Sequence, residues 1–175
     1  RWRLVETAWE MNLPKHLVQI SYDDKGLLIA DNKLRRVDVT SARSALNGYQ
    51  KSRCFYCFKD ITIESGHTHS ADVDHFFPHI LRECDAQKPI NGVANLVLAC
   101  PECNRGKQGK FDKLASLNLL ERLHSRHEYL ITSHHPLRET LIAQTGLTQR
   151  QRQGFVQDAY DCATGYCGSS QKWQP

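Results

Sequence analysis

Two Cys-x-x-Cys pairs, Cys54/Cys57 and Cys100/Cys103, bracket the part of the chain where chemistry is most concentrated. Between them stand Asp74-His75 and Asn95, and Asn104 directly follows the last cysteine. Each pair makes a tight knuckle that aims two thiolates at one point, and two knuckles supply the four-sulfur set that structural zinc prefers. An ion held this way closes a long loop, and such sites typically contribute on the order of 10 kcal/mol to folding. Asp74 offers a carboxylate that suits a hard cation such as Mg²⁺, and an amide oxygen like that of Asn104 can join it. A neutral imidazole, here His75, suits taking a proton from water near pH 7. Asn104 would be held rigidly by the second knuckle, so the structural ion would position part of the catalytic one.

Other readings of the same residues are weaker. Cys100-Pro101-Glu102-Cys103 alone would suit a redox dithiol, but the second pair argues for a metal. A zinc deaminase needs His-x-Glu upstream and Pro-Cys-x-x-Cys, whereas Ala99 precedes Cys100 here and no such histidine motif lies upstream. Taken singly, Asp74-His75 reads as ordinary polar structure, Asn104 as a helix cap and Asn95 as a turn residue. Cys84, Cys162 and Cys167 read as thiols without a role. Only the combination with the cysteine frame favours chemistry.

That combination resembles the HNH endonuclease family in its zinc-stabilised ββα-metal form. The resemblance lies in Cys54-x-x-Cys57, Asp74-His75 with Pro78, Asn95-Leu96, Cys100-x-x-Cys103-Asn104 and Lys107. It spans residues 54–107 and leaves both flanks uncovered. It implies a hairpin followed by a helix around a metal, hydrolysing phosphodiester bonds to 5′-phosphate and 3′-hydroxyl ends. It implies that His75 is the general base, and that Asp74 and Asn104 ligate Mg²⁺ or another divalent cation. Asn104 stands where many members carry a final histidine. Asn95 resembles the middle asparagine, which fixes the loop facing the base. The implied cofactors are therefore structural Zn²⁺ and a catalytic divalent ion, and the expected substrate is DNA, in a restriction or phage-defence setting by family habit. A non-catalytic zinc module that binds nucleic acid is the alternative, and an interaction scaffold with a vestigial core is a third reading.

Arg105, Lys107 and Lys110 follow the second knuckle and are candidates to hold phosphates, with His79 beside them. The net charge of +4 and pI of about 8.7 are compatible with a polyanion partner. No run of residues approaches the length of an apolar membrane span. With no visible signal peptide and a metal-type cysteine pattern, a cytoplasmic setting is expected. The chain opens at Arg1 rather than Met, so it reads either as a trimmed chain or as the C-terminal part of something longer, in which a targeting domain or protein partner could choose the target.

The elements that must position these residues give an α+β class. Residues 1–50 read as a small N-terminal lobe. It has helical spacing through Trp2, Val5 and Trp9, a hairpin over residues 17–30, a short strand at 37–39, and a helix through Ala42, Leu46 and Tyr49. Thr40 or Ser41 could cap that helix. Residues 51–112 are the part that resembles an HNH core, with a strand expected over 71–73. Residues 113–175 form a helical extension. Its first helix carries a stripe of Leu114, Leu117, Leu120, Leu123, His127 and Leu130. Pro136 opens a second helix that stops at Gly146, and Thr148-x-x-Gln151 marks the capping box of a third. The tail from Thr164 is expected to be loose.

Overall fold

The computed structural model describes residues 42–64, 66–78, 90–167 and 172–175. The expected N-terminal helix, the hairpin and strand before residue 42, His79 and Cys84 lie outside the described residues. Among those described, helix α1 (Arg43–Gln50) leads into the first knuckle, and strand β1 (Asp72–His75) follows it. A single 3-10 turn at Val93–Asn95 leads into strand β2 (Leu96–Ala99), and the short helix α2 (Pro101–Arg105) comes next. Helices α3 (Leu117–Thr132), α4 (Arg138–Thr145) and α5 (Gln149–Cys167) complete the chain. The class is mixed α and β, with a two-stranded sheet, as expected. No described helix is long and apolar enough to cross a membrane.

The sheet is antiparallel, with Asp72 opposite Ala99, Asp74 opposite Val97 and His75 opposite Leu96. Leu96, Val97, Leu98 and Ala99 are all fully buried, the pattern of a strand covered on both faces. Its outer edge is closed by side chain and loop. The Gln50 amide accepts from Leu98 N–H at 2.8 Å and donates to Leu98 C=O at 2.8 Å, imitating a neighbouring strand. Phe55 N–H adds a bond to the same carbonyl at 2.8 Å. The last helix of the expected N-terminal lobe thus joins the sheet of the core through Gln50. Its first residue is preceded by Ala42, which makes no side-chain cap.

The C-terminal helices pack on the same core. Arg126, on α3, is 1% exposed, and burial lowers its pKa to about 10. It donates to Leu96 C=O at 2.6 Å and to the Val93 and Ala94 carbonyls at 3.3 Å each. His127 Nε2 lies 2.8 Å from Ala94 C=O, and Gln144 accepts from Ala94 N–H at 3.1 Å. The turn before β2 is therefore held by α3 and by α4. The expected stripe on α3 is largely present, but Leu117 is 56% exposed and Leu119 takes its place inside. The helix begins only at Leu117, so Leu114 is buried as expected but precedes it.

The capping box of α5 forms as expected. Thr148 N–H donates to Gln151 at 2.9 Å, and Gln151 N–H donates to Thr148 Oγ1 at 3.2 Å. Two expectations for this region are corrected. Helix α5 continues to Cys167, past Thr164, because nothing before that residue breaks it. Cys162 is disulfide-bonded rather than a lone thiol.

Residues 172–175 are seated, not loose, while 168–171 lie outside the described residues. Trp173 pairs with Ala115 as a bridge and exchanges backbone bonds with Leu114 at 2.9 Å and Ser116 at 3.0 Å. Its indole N–H donates to Gln108 C=O at 2.8 Å, and its ring meets the edge of Tyr56 at a centroid distance of 5.1 Å. Apolar area and backbone pairing outweigh the tail's Gly/Ser/Gln composition. Trp173→Ala is expected to cost about 3 kcal/mol, the low end for a buried aromatic. Chemical denaturation measures it, and an unchanged midpoint would mean that the tail is not seated in solution.

Candidate metal and catalytic site

The four sulfurs of Cys54, Cys57, Cys100 and Cys103 lie within 4.8 Å of one another. All four are free thiols, and three are buried. The knuckles place them through backbone bonds: Cys100 N–H donates to Cys54 Sγ at 3.3 Å, and Cys103 N–H to Cys100 Sγ at 3.4 Å. Cys100 is also the N-cap of α2, with Pro101 in the first turn where a missing N–H costs nothing. Burial pushes the Cys54 thiol up to about 11, and Cys103 is pushed up by burial and by the neighbouring sulfurs. Four thiolates so close repel one another unless a cation joins them. This donor set meets the requirements of a tetrahedral sulfur site and can hold a metal ion such as zinc. It is the only group of three or more His, Cys, Asp or Glu ligands among the described residues.

The second site is assembled from β1, the first knuckle and the loop after α2. Asp72 and Asp74 are two apart on β1 and share a face, while His75 points to the other. The register continues unbroken through His75, and the chain bends only at Phe76 and Phe77, after both residues. Asn104, on α2, donates its amide to Asp72 Oδ2 at 3.1 Å, and Arg105 Nε reaches the same oxygen at 2.8 Å. The residue that meets Asn104 is therefore Asp72, which the sequence reading passed over. The signal was available in Asp72-x-Asp74, a pair that any strand puts on one face.

Asp74 is 8% exposed, and its Oδ2 accepts from Tyr56 at 2.5 Å and faces Lys110 Nζ at 3.1 Å. Burial pushes its carboxyl up, against the downward pull of Lys110 and the Tyr56 hydrogen bond. The Tyr56 hydroxyl is held protonated by its own burial and by Asp74. Lys110 is fully buried, and its ammonium also donates to His75 C=O at 2.8 Å. It is thus no surface phosphate ligand, as the sequence reading expected, but an internal tie between Asp74 and the end of β1. Gly106 and Gly109 permit this. A Cβ on Gly106 would stand 2.5 Å from Glu102 C=O, and one on Gly109 2.9 Å from Asn104 C=O. With no side chains there, the chain folds back so that Lys110 N–H meets Cys103 C=O at 2.7 Å. Lys107 and Arg105 remain on the surface.

His75 Nε2 lies 2.9 Å from Asn91 Oδ1. This contact ties the imidazole to the Asn91 side chain and fixes the orientation of the ring. Asn91 is a second residue that the sequence reading missed, and nothing in its spacing marked it. Asn95 is 6% exposed and is spent on backbone. It accepts from Phe77 N–H at 2.7 Å and donates to Phe77 C=O at 3.1 Å and Ile90 C=O at 2.8 Å. It is a positioning residue, since it ties the two ends of the 78–90 interval and so sets the height of Asn91 beside His75.

Comparison with protein-family models finds no match, and comparison with curated proteins finds none either.

Proposed function

We propose that the chain is a metal-dependent nuclease of the HNH kind, hydrolysing phosphodiester bonds, with DNA as its substrate. The observation that supports this best is the seat of Asn104. The second cysteine knuckle sets it against Asp72, on the strand that also carries Asp74 and His75. In this reading the four cysteines hold zinc. Asp74 and Asn104, joined by Asp72, would hold a divalent cation. Two carboxylates and an amide suit Mg²⁺, which keeps several waters and binds few protein groups. Such an ion would neutralise charge on the scissile phosphate and its leaving oxygen. His75, held by Asn91 at the end of β1, is the candidate general base for the attacking water. Tyr56 and Lys110 keep the Asp74 carboxylate oriented. Arg105 and Lys107 face solvent where flanking phosphates could lie.

One observation favours the non-catalytic reading. Asp74 Oδ2 is already paired with an ammonium and a hydroxyl, and strand alternation turns His75 to the face of β1 opposite Asp72 and Asp74. A zinc module that only binds nucleic acid would need nothing more.

Cleavage decides between them. Labelled DNA and RNA are incubated with the protein across several divalent ions, with His75→Ala as control. The variant is expected to lose about 10²–10⁴-fold in rate, the usual worth of a general base, while zinc content and melting are retained. Asn91→Ala removes only the orienting acceptor and is expected to lower turnover less. Undiminished cleavage by His75→Ala would overturn the base assignment. Binding without cleavage under every ion would establish the module instead.

A further inference from the structure

A cleft of about 390 Å³ opens between the first knuckle, α1 and α3. Its size falls in the range of about 300–1,000 Å³ typical of small-ligand sites. It shares no lining residue with the Asp72–Asn104 site. Its walls are aromatic, from Tyr49, Phe55, Phe58 and Tyr129, and its cations are Lys51, Arg53 and Arg122; no lining residue is acidic. Phe58 and Tyr129 are 56% and 58% exposed despite their size.

Phe58 is costly where it stands. The knuckle closes with Phe58 N–H on Cys54 C=O at 3.0 Å, and this turn holds Phe58 at φ 63. Glycine adopts that conformation freely, whereas a side chain there is strained. The ring gains little burial in return. It is instead fixed in place by Arg122, whose guanidinium lies 4.3 Å from the ring centroid. Arg122 is itself anchored on the Phe55 and Tyr56 carbonyls at 2.6 and 2.8 Å. One face of a strained, exposed ring is thus backed by a cation, and a second exposed ring borders the same cleft.

We propose that this cleft binds an unpaired nucleobase of a nucleic-acid strand, with the adjoining phosphate on Lys51 and Arg53. Bases stack on aromatic side chains whatever their identity, and a neighbouring guanidinium strengthens the stack. Arg53 is paired with Asp60 at 3.1 Å, but both side chains are more than half exposed, so a phosphate can compete for it. The inference rests on the proposed function only for the choice of polymer, and its test needs no cleavage.

The zinc-loaded full chain, in buffer without Mg²⁺, is titrated with a short labelled oligothymidylate and with an abasic strand of equal length. The abasic strand keeps the phosphates and lacks the bases. It is expected to bind about tenfold more weakly, the worth of one stacked base. Phe58→Gly relieves the backbone strain, so its melting temperature should hold or rise while oligothymidylate binding falls about tenfold to the abasic level. Equal binding of the two strands, unchanged binding by Phe58→Gly, or loss of stability together with binding would overturn the proposal. So would preference for an acidic or aromatic peptide over either strand. Base-dependent binding in a protein that cleaves nothing would sink the nuclease reading and keep this one. Cleavage with unaltered binding by Phe58→Gly would do the reverse.

Discussion

If the four cysteines hold a zinc ion, stripping it with a strong chelator is expected to unfold the core of this protein, not merely to loosen a surface loop. The sulfurs tie the segment before β1 to the segment after β2, and three of the four are buried. Without an ion, four thiols are left packed together, with Cys54 and Cys103 pushed up by burial and by mutual repulsion of their charged forms. They would have to stay neutral in a space shaped for a cation. Structural zinc sites typically contribute about 10–16 kcal/mol, against a total stability of about 5–15 kcal/mol for an ordinary domain. The loss therefore exceeds what the remaining contacts can offset. Helices α3 and α4 lose their anchor too, because Arg126 and Gln144 bind the turn before β2. Far-UV circular dichroism recorded while a chromophoric chelator reports released zinc should show both signals changing together. Protons compete for the sulfurs, so release should become easier as pH falls. Identical melting curves with and without chelator would refute the structural-ion reading. Cys103→Ser, which removes one ligand and keeps the backbone, should reproduce most of the effect.

Lys110→Met is expected to cost about 3–5 kcal/mol, the usual penalty for removing one partner of a buried ion pair. The methionine keeps most of the stem's volume but leaves Asp74 with Tyr56 and the His75 backbone and without a cation. The sign of the pH dependence follows from Asp74. Burial already raises its folded-state pKa above the unfolded value, so ionising it in the fold is unfavourable. Lys110 pulls the other way, and without it the carboxyl rises further. The variant's deficit should thus be largest at neutral pH and shrink in acid, where Asp74 becomes protonated. Denaturant titrations of both proteins across pH measure this. A lysine serving phosphates at the surface would leave stability unchanged and weaken only binding. Equal stability at every pH would return Lys110 to that role.

Much of the local structure could be read in the sequence because its signals are local. Thr148 and Gln151 cap a helix by contacts three residues apart. The tail was misjudged because composition describes intrinsic preference, and Trp173 is decided by its distant partners Leu114, Gln108 and Tyr56. Lys110 was misjudged for the same reason. Charged and polar residues such as Lys107, Gln108, Asp112 and Lys113 surround it in sequence, but two glycines turn it inward. Tyr56 and Asn91 carried no signal, since each matters only for what the fold brings beside it.

What the sequence by itself determined is the convergence of four thiols, because paired cysteines at knuckle spacing leave few other arrangements. Tertiary structure alone decided which carboxylate meets Asn104, which cation meets Asp74 and which amide turns His75. The physical reason is reach. A knuckle is set by backbone geometry over four residues, whereas these three pairings depend on strand register, on the depth of a returning loop and on helices that clamp the turn before β2.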